Sequence, residues 1–403
     1  MGSVAEDHDR VLIIGAGAAG LLIAQILKKE NILCTVFEQD ATPHARPRDW
    51  NYGVYWAQSN LSECLPPELI NQLETCQVDL HKPADTDYLP SFNGETGERI
   101  LAFPAPYSLR LKRRAFLELI ATGVDVQWGK RLASIDTDGS IVSVTFEDGS
   151  SASGRLLIGA EGAHSRVREF LVGKEEAALN PSPVVSSISV PRLPAEVALA
   201  VKELHPRYCL ILHPDGYFGW VGIHNAQGEP GEWEFLVMIS WISNEDTGLS
   251  GDAILESLKE ITCSFAEPFR SVFQSLPEGT KVWHSRLSYW ETQPWDNRNG
   301  TVTVVGDAAH PMTFHRGQGL NNAILDAAFL GREIAKLENK SPGSLYPAVT
   351  AYEKEVWVRG KEAVAQSNLN SMLLHNWSQL KESPLFQLGL KQKPKAAQNN
   401  SSR

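Results

Sequence analysis

The feature that most constrains the fold of this chain is a glycine-rich loop between an apolar run and a segment of helical character. Residues 11–14 are all apolar, as in a buried strand of a parallel sheet, and residues 21–29 have a helical pattern. A second strand-like run at 34–38 ends in the acid Glu38. Strand, loop, helix, strand and acid in this order predict a βαβ unit that binds a dinucleotide.

The loop has the spacing G-x-G-x-x-G over residues 15–20. Its first glycine allows a tight turn, its second lets a pyrophosphate approach the backbone, and its third lets the helix pack closely on the strand. The pyrophosphate then lies at the positive helix N-terminus. A glycine-rich turn inside a core is the alternative, and the surrounding βαβ pattern argues against it. The predicted contacts are Gly15, Gly17, Ala18, Ala19 and Gly20.

The acid that ends the second strand limits which dinucleotide this loop can hold. Glu38 lies 18 residues after Gly20, where a carboxylate can accept hydrogen bonds from both ribose hydroxyls. The neighbouring Gln39 belongs to the same set of predicted contacts. Because a carboxylate repels a 2′-phosphate, Glu38 disfavours NADP in this loop. FAD and NAD both remain possible at this point.

Composition excludes several classes of partner. The chain has 403 residues and a net charge of −11, which argues against nucleic acid or an anionic membrane as the main partner. Its five cysteines are scattered without a C-x-x-C pair, so neither a zinc site nor a disulfide framework is expected. The short acidic N-terminus does not resemble a signal peptide, and no apolar run is long enough to span a bilayer. We therefore expect a cytoplasmic protein without a metal.

The parallel-strand pattern is interrupted and then resumes. Residues 180–295 carry alternating segments typical of an antiparallel sheet, and residues 302–305 return to a fully apolar run. One cofactor domain is therefore predicted from both ends of the chain, with a β-rich domain inserted. The expected division is 1–78, 104–178 and 296–345 for the cofactor domain, 79–103 and 179–295 for the β-rich substrate domain, and 346–403 for C-terminal helices and tail.

Two further motifs carry a resemblance to a known family. Residues 159–168 place Glu161-Gly162 before Ser-Arg-Val-Arg, and residues 306–311 read Gly-Asp-Ala-Ala-His-Pro, followed by Arg-Gly-Gln-Gly-Leu-Asn-Asn at 316–322. With the first loop, these motifs resemble class A flavoprotein monooxygenases of the para-hydroxybenzoate hydroxylase type, and more narrowly fungal FAD-dependent monooxygenases of secondary metabolism. The resemblance spans residues 8–380. It implies an α/β fold with a Rossmann-like, GR2-type FAD-binding domain, an inserted antiparallel β-sheet domain and C-terminal helices.

The second FAD fingerprint also makes physical sense by itself. Asp307 ends a buried strand, where its carboxylate can bind a ribityl hydroxyl. The turn at 316–319 leads into a helix whose bare amides and dipole would face the flavin N1/C2 carbonyl side, where negative charge develops on reduction. A simple helix-capping turn is the alternative for that segment. The predicted contacts here are Gly306, Asp307, Pro311, Gly317, Gln318, Gly319, Leu320 and Asn321.

Three more cofactor contacts follow from the resemblance. Arg113 fits the Arg-x-x-Leu position of the family, which reaches the FAD phosphate or ribose, with Arg114 as the alternative one residue on. Arg48 is a candidate for FAD or NADPH contact, and a solvated surface arginine is the alternative. Glu161 replaces the aspartate of the family in the middle motif, which serves FAD phosphate binding and NADPH contact.

The loop beside the flavin ring departs from the family at two positions. Phe314 stands where the family has proline, and His315 follows it. An aromatic ring there can stack on an aromatic substrate, and a histidine there can act as an acid or base. Packing variants are the alternative for both.

The inserted block offers candidates for a substrate pocket. Its aromatic and histidine residues alternate on apparent strands, so one sheet face is expected to line the pocket, and a packed core face is the alternative. These candidates are His213, Tyr217, Trp220, His224 and Trp241, together with Trp56 from the loop after the arginines.

The resemblance implies the following reaction. NADPH, or NADH, binds transiently at the surface, reduces FAD and leaves; O₂ then forms a flavin C4a-hydroperoxide. One oxygen atom passes to a hydrophobic, aromatic or polycyclic substrate by hydroxylation or epoxidation. The departures at Glu161 and Phe314 keep open a flavin oxidase, a dehydrogenase or a cyclisation enzyme without oxygen insertion, and a non-catalytic flavin-binding protein is a further alternative. The oligomeric state is not predicted.

Overall fold

The computed structural model describes residues 8–45, 49–79, 88–105, 108–245, 248–249 and 251–391. Within these ranges the strands are β1 Val11–Ile14, β2 Cys34–Glu38, β3 Asn51–Val54, β4 Tyr88–Asn93, β5 Arg99–Pro104, β6 Leu109–Lys112, β7 Val126–Trp128, β8 Leu132–Thr137, β9 Val142–Phe146, β10 Ser151–Gly154, β11 Leu156–Gly159, β12 Asn180–Ser189, β13 Tyr208–Leu212, β14 Phe218–Asn225, β15 Glu234–Ile242, β16 Val282–Tyr289 and β17 Val302–Val304.

The α-helices in the same ranges are α1 Ala18–Lys29, α2 Gln58–Cys64, α3 Pro67–Ile70, α4 Arg113–Ile120, α5 Arg166–Val172, α6 Ala195–Leu204, α7 Asp252–Ile261, α8 Phe269–Gln274, α9 Gly319–Ala335, α10 Tyr346–Leu374 and α11 Pro384–Leu388. Short 3₁₀ helices lie at Leu73–Cys76, Pro230–Glu232, Thr262–Ser264, Gly306–Ala308, Pro342–Ser344 and Trp377–Glu382. Among these described helices, none combines the length and apolar character needed to cross a membrane.

A five-stranded parallel sheet forms the centre of the cofactor half, in the order β17-β11-β1-β2-β7. Strands β1 and β11 are fully buried because helices pack against the sheet, and α1 and α9 contact each other. Ile14 is in register with Gly159, and Gly159 with Val304. The carboxyl ends of β1, β11 and β17 therefore lie together, and the three motifs that follow these strands meet at one edge of the sheet.

A seven-stranded sheet forms the second half, in the order β16-β12-β15-β14-β13-β4-β5. Its neighbouring strands are antiparallel except for β13 and β4. Strands β4 and β5 come from the early excursion and the others from the later β-rich block. This mixture of a Rossmann-like parallel sheet and a largely antiparallel sheet confirms the predicted α/β fold class.

The two faces of the seven-stranded sheet have different surroundings. One face is covered by α6, α7 and α8, which form a separate apolar core with it. The other face packs against Phe314, Tyr55 and residues between Leu374 and Leu390. The C-terminal helix α10 also packs on α9, so it joins the cofactor half to the sheet. The second face is therefore the one that adjoins the cofactor half.

Candidate functional site

A cleft of about 1190 Å³ opens at the edge where the three motifs meet. Its wall begins at the glycine-rich loop, continues past the end of β2 and α4, and reaches the start of α9. Eleven of the predicted cofactor contacts line it, namely Gly15, Gly17, Ala18, Ala19, Glu38, Gln39, Arg113, Glu161, Asp307, Gly319 and Leu320.

The three loop glycines have the environments that a phosphate loop requires. Gly15 has φ +106°, and a Cβ there would lie 2.5 Å from the Ala160 carbonyl oxygen. A Cβ on Gly20 would lie 2.1 Å from the Gly15 carbonyl oxygen, so this position fixes the contact of helix and strand. A Cβ on Gly17 meets only one atom within 4 Å and faces the cleft. Helix α1 has no side-chain cap, so its first amides are available to an anion.

Glu38 is held in a fixed orientation at the end of β2. Its carboxylate accepts hydrogen bonds from the Ala16 amide at 2.8 Å and from the Asp40 amide at 2.9 Å. A carboxylate oxygen can accept more than one hydrogen bond. The geometry suits an adenosine ribose beside the phosphate loop.

Asp307 faces the cleft at its far end, where solvent reaches it. Protein surrounds the rest of the carboxyl group, and this burial, together with the nearby charge of Asp326, raises the pKa of Asp307. Gly306, the preceding residue, has φ +61°. A Cβ added to it would lie 2.8 Å from the Ala19 Cβ. A ribityl hydroxyl in the cleft could donate a hydrogen bond to the Asp307 carboxyl group.

A buried acid that sequence reasoning missed holds this turn in place. Asp326 of α9 accepts hydrogen bonds from the Gly306 amide at 2.7 Å and from His310 Nε2 at 2.8 Å. Arg359 of α10 donates to its other oxygen at 2.5 Å. Burial disfavours the ionised form, but His310 and Arg359 outweigh it and lower the pKa of Asp326. A charged residue inside the apolar pattern of α9 was the available signal.

Replacing Arg359 with methionine should destabilise the protein by about 3 kcal/mol, because it leaves the buried Asp326 carboxylate without its cationic partner. The turn at Gly306 should loosen as well, so the purified variant should retain less FAD. Thermal unfolding and the flavin-to-protein absorbance ratio measure both effects. Lys354→Met removes an exposed positive charge from the same helix and should change stability by less than about 0.5 kcal/mol. Equal stability of the two variants would contradict this role.

Arg113 and Arg114 both line the cleft, so the structure leaves the choice between the two predicted registers open. Arg113 lies 6.0 Å above the Trp50 ring, and the Arg114 amide donates to Asp49 at 3.0 Å. Arg48 lies outside the described residues.

Glu161 has a different main partner from the one predicted. Its Oε1 accepts hydrogen bonds from the Val167 amide at 2.8 Å and the Ser165 hydroxyl at 2.9 Å, so it caps α5. Burial raises the pKa of Glu161. Its Oε2 is buried and has no hydrogen-bond partner among the residues that the structure describes. Glu161 also lines the cleft.

Arg168 joins the second and third motifs, and sequence reasoning missed it. The side chain is 2% exposed, and it lies 4.9 Å above the Trp290 ring. It donates hydrogen bonds to the carbonyl groups of Ala163, Ala177 and Ala308. Arg168 is the second arginine of the Ser-Arg-Val-Arg segment, and its place in that motif was the sequence feature that could have indicated its role.

In the turn before α9, two predicted contacts use their side chains for support. Gln318 Oε1 accepts from the Trp56 indole at 2.7 Å, and Asn321 bonds to the Gly53 carbonyl and the Tyr55 amide at 2.9 and 2.8 Å. These side chains hold segment 53–56 and leave only backbone groups for a flavin. Trp56, predicted as a pocket residue, is therefore part of this support.

Other members of the second fingerprint lie beside the cleft. Pro311 is buried, and its carbonyl group accepts from the Trp290 amide at 3.1 Å. Gly317 has φ +64°, and a Cβ there would lie 2.9 Å from the Tyr55 ring. Gly319 and Leu320 start α9 at the cleft wall, so its first amides face the space that a flavin ring would take.

His315 belongs to a buried hydrogen-bonded network. Its Nε2 lies 2.9 Å from the Ser240 hydroxyl, which in turn lies 2.9 Å from His375 Nε2, and its Nδ1 lies 2.7 Å from the Ser371 hydroxyl. His375 Nδ1 lies 2.6 Å from the Ser371 carbonyl, so it must carry a proton there. Ser240 then donates to His375 Nε2 and accepts from His315 Nε2–H, which leaves His315 Nδ1 as an acceptor.

The network has a consequence for the predicted acid–base role. Burial and then the neighbouring His375 place the pKa of His315 well below its ordinary value, so the ring is neutral. Both ring nitrogens already have partners, so proton exchange with a substrate must pass through the hydroxyl groups. Phe314 is half-buried against the sheet, and its ring centre lies 4.7 Å from that of His315.

The expectation that one sheet face carries all five pocket candidates is wrong. Trp220 and His224 point towards the cofactor half. Tyr217 and Trp241 pack against the core under α6, α7 and α8, and His213 stacks on Phe265 in that core at 4.6 Å. A tight turn after β13 reverses the chain, and strand alternation places Ser240 and Trp241 on opposite faces.

The fold and the cleft together define a flavin-dependent oxidoreductase. The FAD binding domain family matches residues 110–367, and the NAD(P)-binding Rossmann-like domain matches residues 13–56. The FAD-dependent monooxygenase cctM of Talaromyces islandicus is 61% identical over 387 residues, which cover 96% of this chain and 98% of that protein. The FAD-dependent monooxygenase phnB of Penicillium herquei is 36% identical over 386 residues, 94% of each chain. The chain therefore belongs to the FAD-dependent monooxygenases of the FAD binding domain family.

Solved structures show the same fold. The crystal structure of Klebsiella pneumoniae HpxO complexed with FAD and uric acid aligns with a TM-score of 0.76 at 20% identity, over 94% of this chain and 93% of HpxO. The structure of FqzB aligns with a TM-score of 0.76 at 18% identity, over 97% of this chain and 90% of FqzB. At these identities the likeness concerns the fold alone. FAD is the cofactor of the family.

Proposed function

We propose that this enzyme inserts one atom of O₂ into a hydrophobic, aromatic or polycyclic small molecule, with NADPH or NADH as the electron donor. In the hydroxylation case, a C–H bond of the substrate, O₂, NADPH and a proton give the C–OH product, water and NADP⁺. Epoxidation of a double bond uses the same donor and oxygen. FAD, when bound, supplies the redox and oxygen-activating chemistry.

The cleft is the observation that carries this proposal. It leads without interruption from the phosphate loop past Glu38 to Asp307 and the start of α9. Beyond it lies an apolar sheet face with Phe218, Met238 and the adjoining Phe314. A dinucleotide cofactor along the cleft would therefore direct its ring end towards a water-poor, aromatic surface.

The residues of the cleft divide the binding of FAD among them. The loop at 15–20 binds the pyrophosphate, Glu38 the ribose, and Arg113 a phosphate or ribose, with Gln39 and Glu161 beside them. Asp307 orients the ribityl chain. The amides of Gly319 and Leu320 stabilise negative charge on the reduced ring. We also propose that the cofactor and substrate domains meet at the boundaries expected from the sequence, between the two large sheets.

The nicotinamide donor binds only transiently under this proposal. The sequence has a single glycine-rich dinucleotide loop, and FAD occupies it, so the donor must approach from the surface. Phe314 is positioned to contact an aromatic substrate, with Trp220 and His224 on the same side of the sheet. His315 keeps the loop in place through its two hydrogen bonds.

The test of this proposal is isotope incorporation. The FAD-loaded enzyme is incubated with NADPH, ¹⁸O₂ and a panel of hydroxynaphthalenes and hydroxyanthraquinones, and products are analysed by mass spectrometry. We expect at least one compound to accelerate NADPH oxidation and to gain a single ¹⁸O atom. Hydrogen peroxide equal to the NADPH consumed, without labelled product for any accelerating compound, would instead establish an oxidase.

A further inference from the structure

The two-stranded ribbon formed by β3 and β6 has one face towards the seven-stranded sheet. Gly53 pairs with Arg110, and Tyr52 pairs with Leu111. Leu111 belongs to the core of the cofactor half, so strand alternation directs Arg110 to the opposite side. There its guanidinium lies 4.9 Å from the centre of the Trp220 ring. Arg110 thus lies between the ribbon and the face of the seven-stranded sheet that packs against Phe314.

Arg110 is a buried cation with only neutral partners. The residue is 6% exposed. It donates hydrogen bonds to the Tyr55 hydroxyl at 3.3 Å and to the Asn51 side-chain oxygen. Among the residues that the structure describes, no carboxylate lies within 4.0 Å of it. A guanidinium is costly to bury without an anion, so the described residues leave the charge of Arg110 without a carboxylate partner.

A second buried donor lies beside it. The indole N–H of Trp220 is buried, and no acceptor lies within hydrogen-bond distance among the described residues. Buried N–H groups in proteins almost always have an acceptor. The Trp220 N–H therefore lacks an acceptor and the neighbouring Arg110 lacks an anionic partner, and a ligand with a negatively charged oxygen would supply both.

Arg110 and Trp220 lie close to the turn at residues 316–319 that precedes α9. The Tyr55 hydroxyl contacts Arg110, while the ring of the same residue packs against Gly317, where a Cβ would lie 2.9 Å from it. On the sheet, Trp220 is next to Tyr208, with 5.2 Å between ring centres, and Phe218 continues the same face. An aromatic molecule on this face can therefore reach the donors with one end and the turn with the other.

We propose that Arg110 and Trp220 form the anion-recognising end of the substrate site and bind an ionised oxygen, phenolate or carboxylate, of an aromatic substrate. This inference rests on the proposed function, because it assumes that the substrate lies on this sheet face. Charge-assisted hydrogen bonds from a guanidinium are stronger than neutral ones and select anions over neutral isosteres. The half-buried rings of Trp220 and Phe314 supply the apolar surface for the substrate rings.

Binding of model anions tests the inference without turnover. The oxidised, FAD-loaded protein is titrated in the absence of NADPH, and the perturbation of the flavin absorbance gives the Kd. One arm compares 2-naphthoate with 2-naphthamide, and the other compares 4-nitrophenolate with 4-nitroanisole. We expect the anion to bind at least about tenfold more tightly in one arm, and that arm identifies the type of oxygen.

Variants then assign the preference to the two side chains. Arg110→Met should reduce the anion preference to less than about twofold, Arg110→Lys should retain part of it, and Trp220→Phe should weaken anion binding about fivefold. Trp220→Phe keeps an aromatic ring of similar shape, so it provides the test if Arg110→Met does not fold. An unchanged preference in Arg110→Met with normal FAD content would overturn the inference, as would equal binding of anions and isosteres by the unmodified enzyme.

The two proposals can fail separately. Anion preference that depends on Arg110, in an enzyme that incorporates no ¹⁸O, would contradict the monooxygenase proposal and support the binding site. Labelled product without anion preference would support the monooxygenase proposal and contradict the anion-binding site.

Discussion

Replacing Gly20 with alanine should abolish FAD retention and lower the melting temperature of the FAD-free protein. The added Cβ would lie 2.1 Å from the Gly15 carbonyl oxygen and 3.2 Å from Ile13. Both belong to the strand and loop on which α1 packs, so neither can move without displacing the phosphate loop. The higher helix propensity of alanine offers only about 1 kcal/mol, whereas overpacking of this kind costs about 3 kcal/mol or more.

Gly17→Ala separates binding from folding in the same loop. Its Cβ would meet only the Ala160 carbonyl oxygen, at 3.9 Å, and its φ of −77° suits any residue. The FAD-free variant should therefore keep its melting temperature, while the methyl group in the cleft raises the Kd for FAD at least about tenfold. Gly231→Ala, with a nearest contact of 3.8 Å outside the cleft, should change neither property. Normal FAD binding by Gly20→Ala would refute the phosphate-loop assignment.

The phosphate loop was predictable because its signal is local. Strand, loop, helix and acid follow one another within residues 11–38, and the glycine positions have direct steric causes. The meeting of the three motifs was also predictable, since each follows a strand of a parallel sheet and such strands end at one edge. The alternating pattern of residues 180–295 predicted the inserted sheet, and the resemblance in the motifs supplied FAD.

Other parts of the site depend on contacts between distant segments. The pair of Asp326 and Arg359 joins two helices, and neither residue belongs to a motif. The orientation of Trp241 depends on strand register, which the sequence pattern did not define. Arg110 is not part of the family pattern, whose arginine is Arg113, three residues later. Only the pairing of β3 with β6 shows which way the Arg110 side chain points.

The second large effect should be a loss of stability in mild acid. Burial lowers the pKa of six described histidines, His205, His213, His224, His284, His315 and His375, and the pKa values of His205 and His375 fall to about 4. In the unfolded chain a histidine has a pKa near its model value of 6.5. Between pH 6.5 and 4 these histidines therefore bind more protons in the unfolded state than in the folded state, and their contribution to stability falls as the pH falls.

The size of the effect follows from the same values. For a histidine with a folded pKa of about 4, acidification from about pH 7 to about pH 5 should cost about 2 kcal/mol of unfolding free energy. His205 and His375 together should account for about 4 kcal/mol, with little change above about pH 7. Urea unfolding at a series of pH values measures this slope.

His375→Gln assigns part of the slope to the buried network. The variant removes the imidazole that accepts a hydrogen bond from Ser240, so it should be less stable at pH 7 and yet lose about 2 kcal/mol less on acidification to pH 5. His44→Gln removes an imidazole whose side chain is 64% exposed, and it controls for the loss of a histidine as such. If His375→Gln keeps the full acid slope, the pKa of His375 is not lowered in the folded protein, and the residue is charged in mild acid. The hydrogen-bond directions derived for Ser240 and His315 would then be wrong. A charged His375 donates from both nitrogens, so Ser240 would accept from His375 and donate to His315 Nε2.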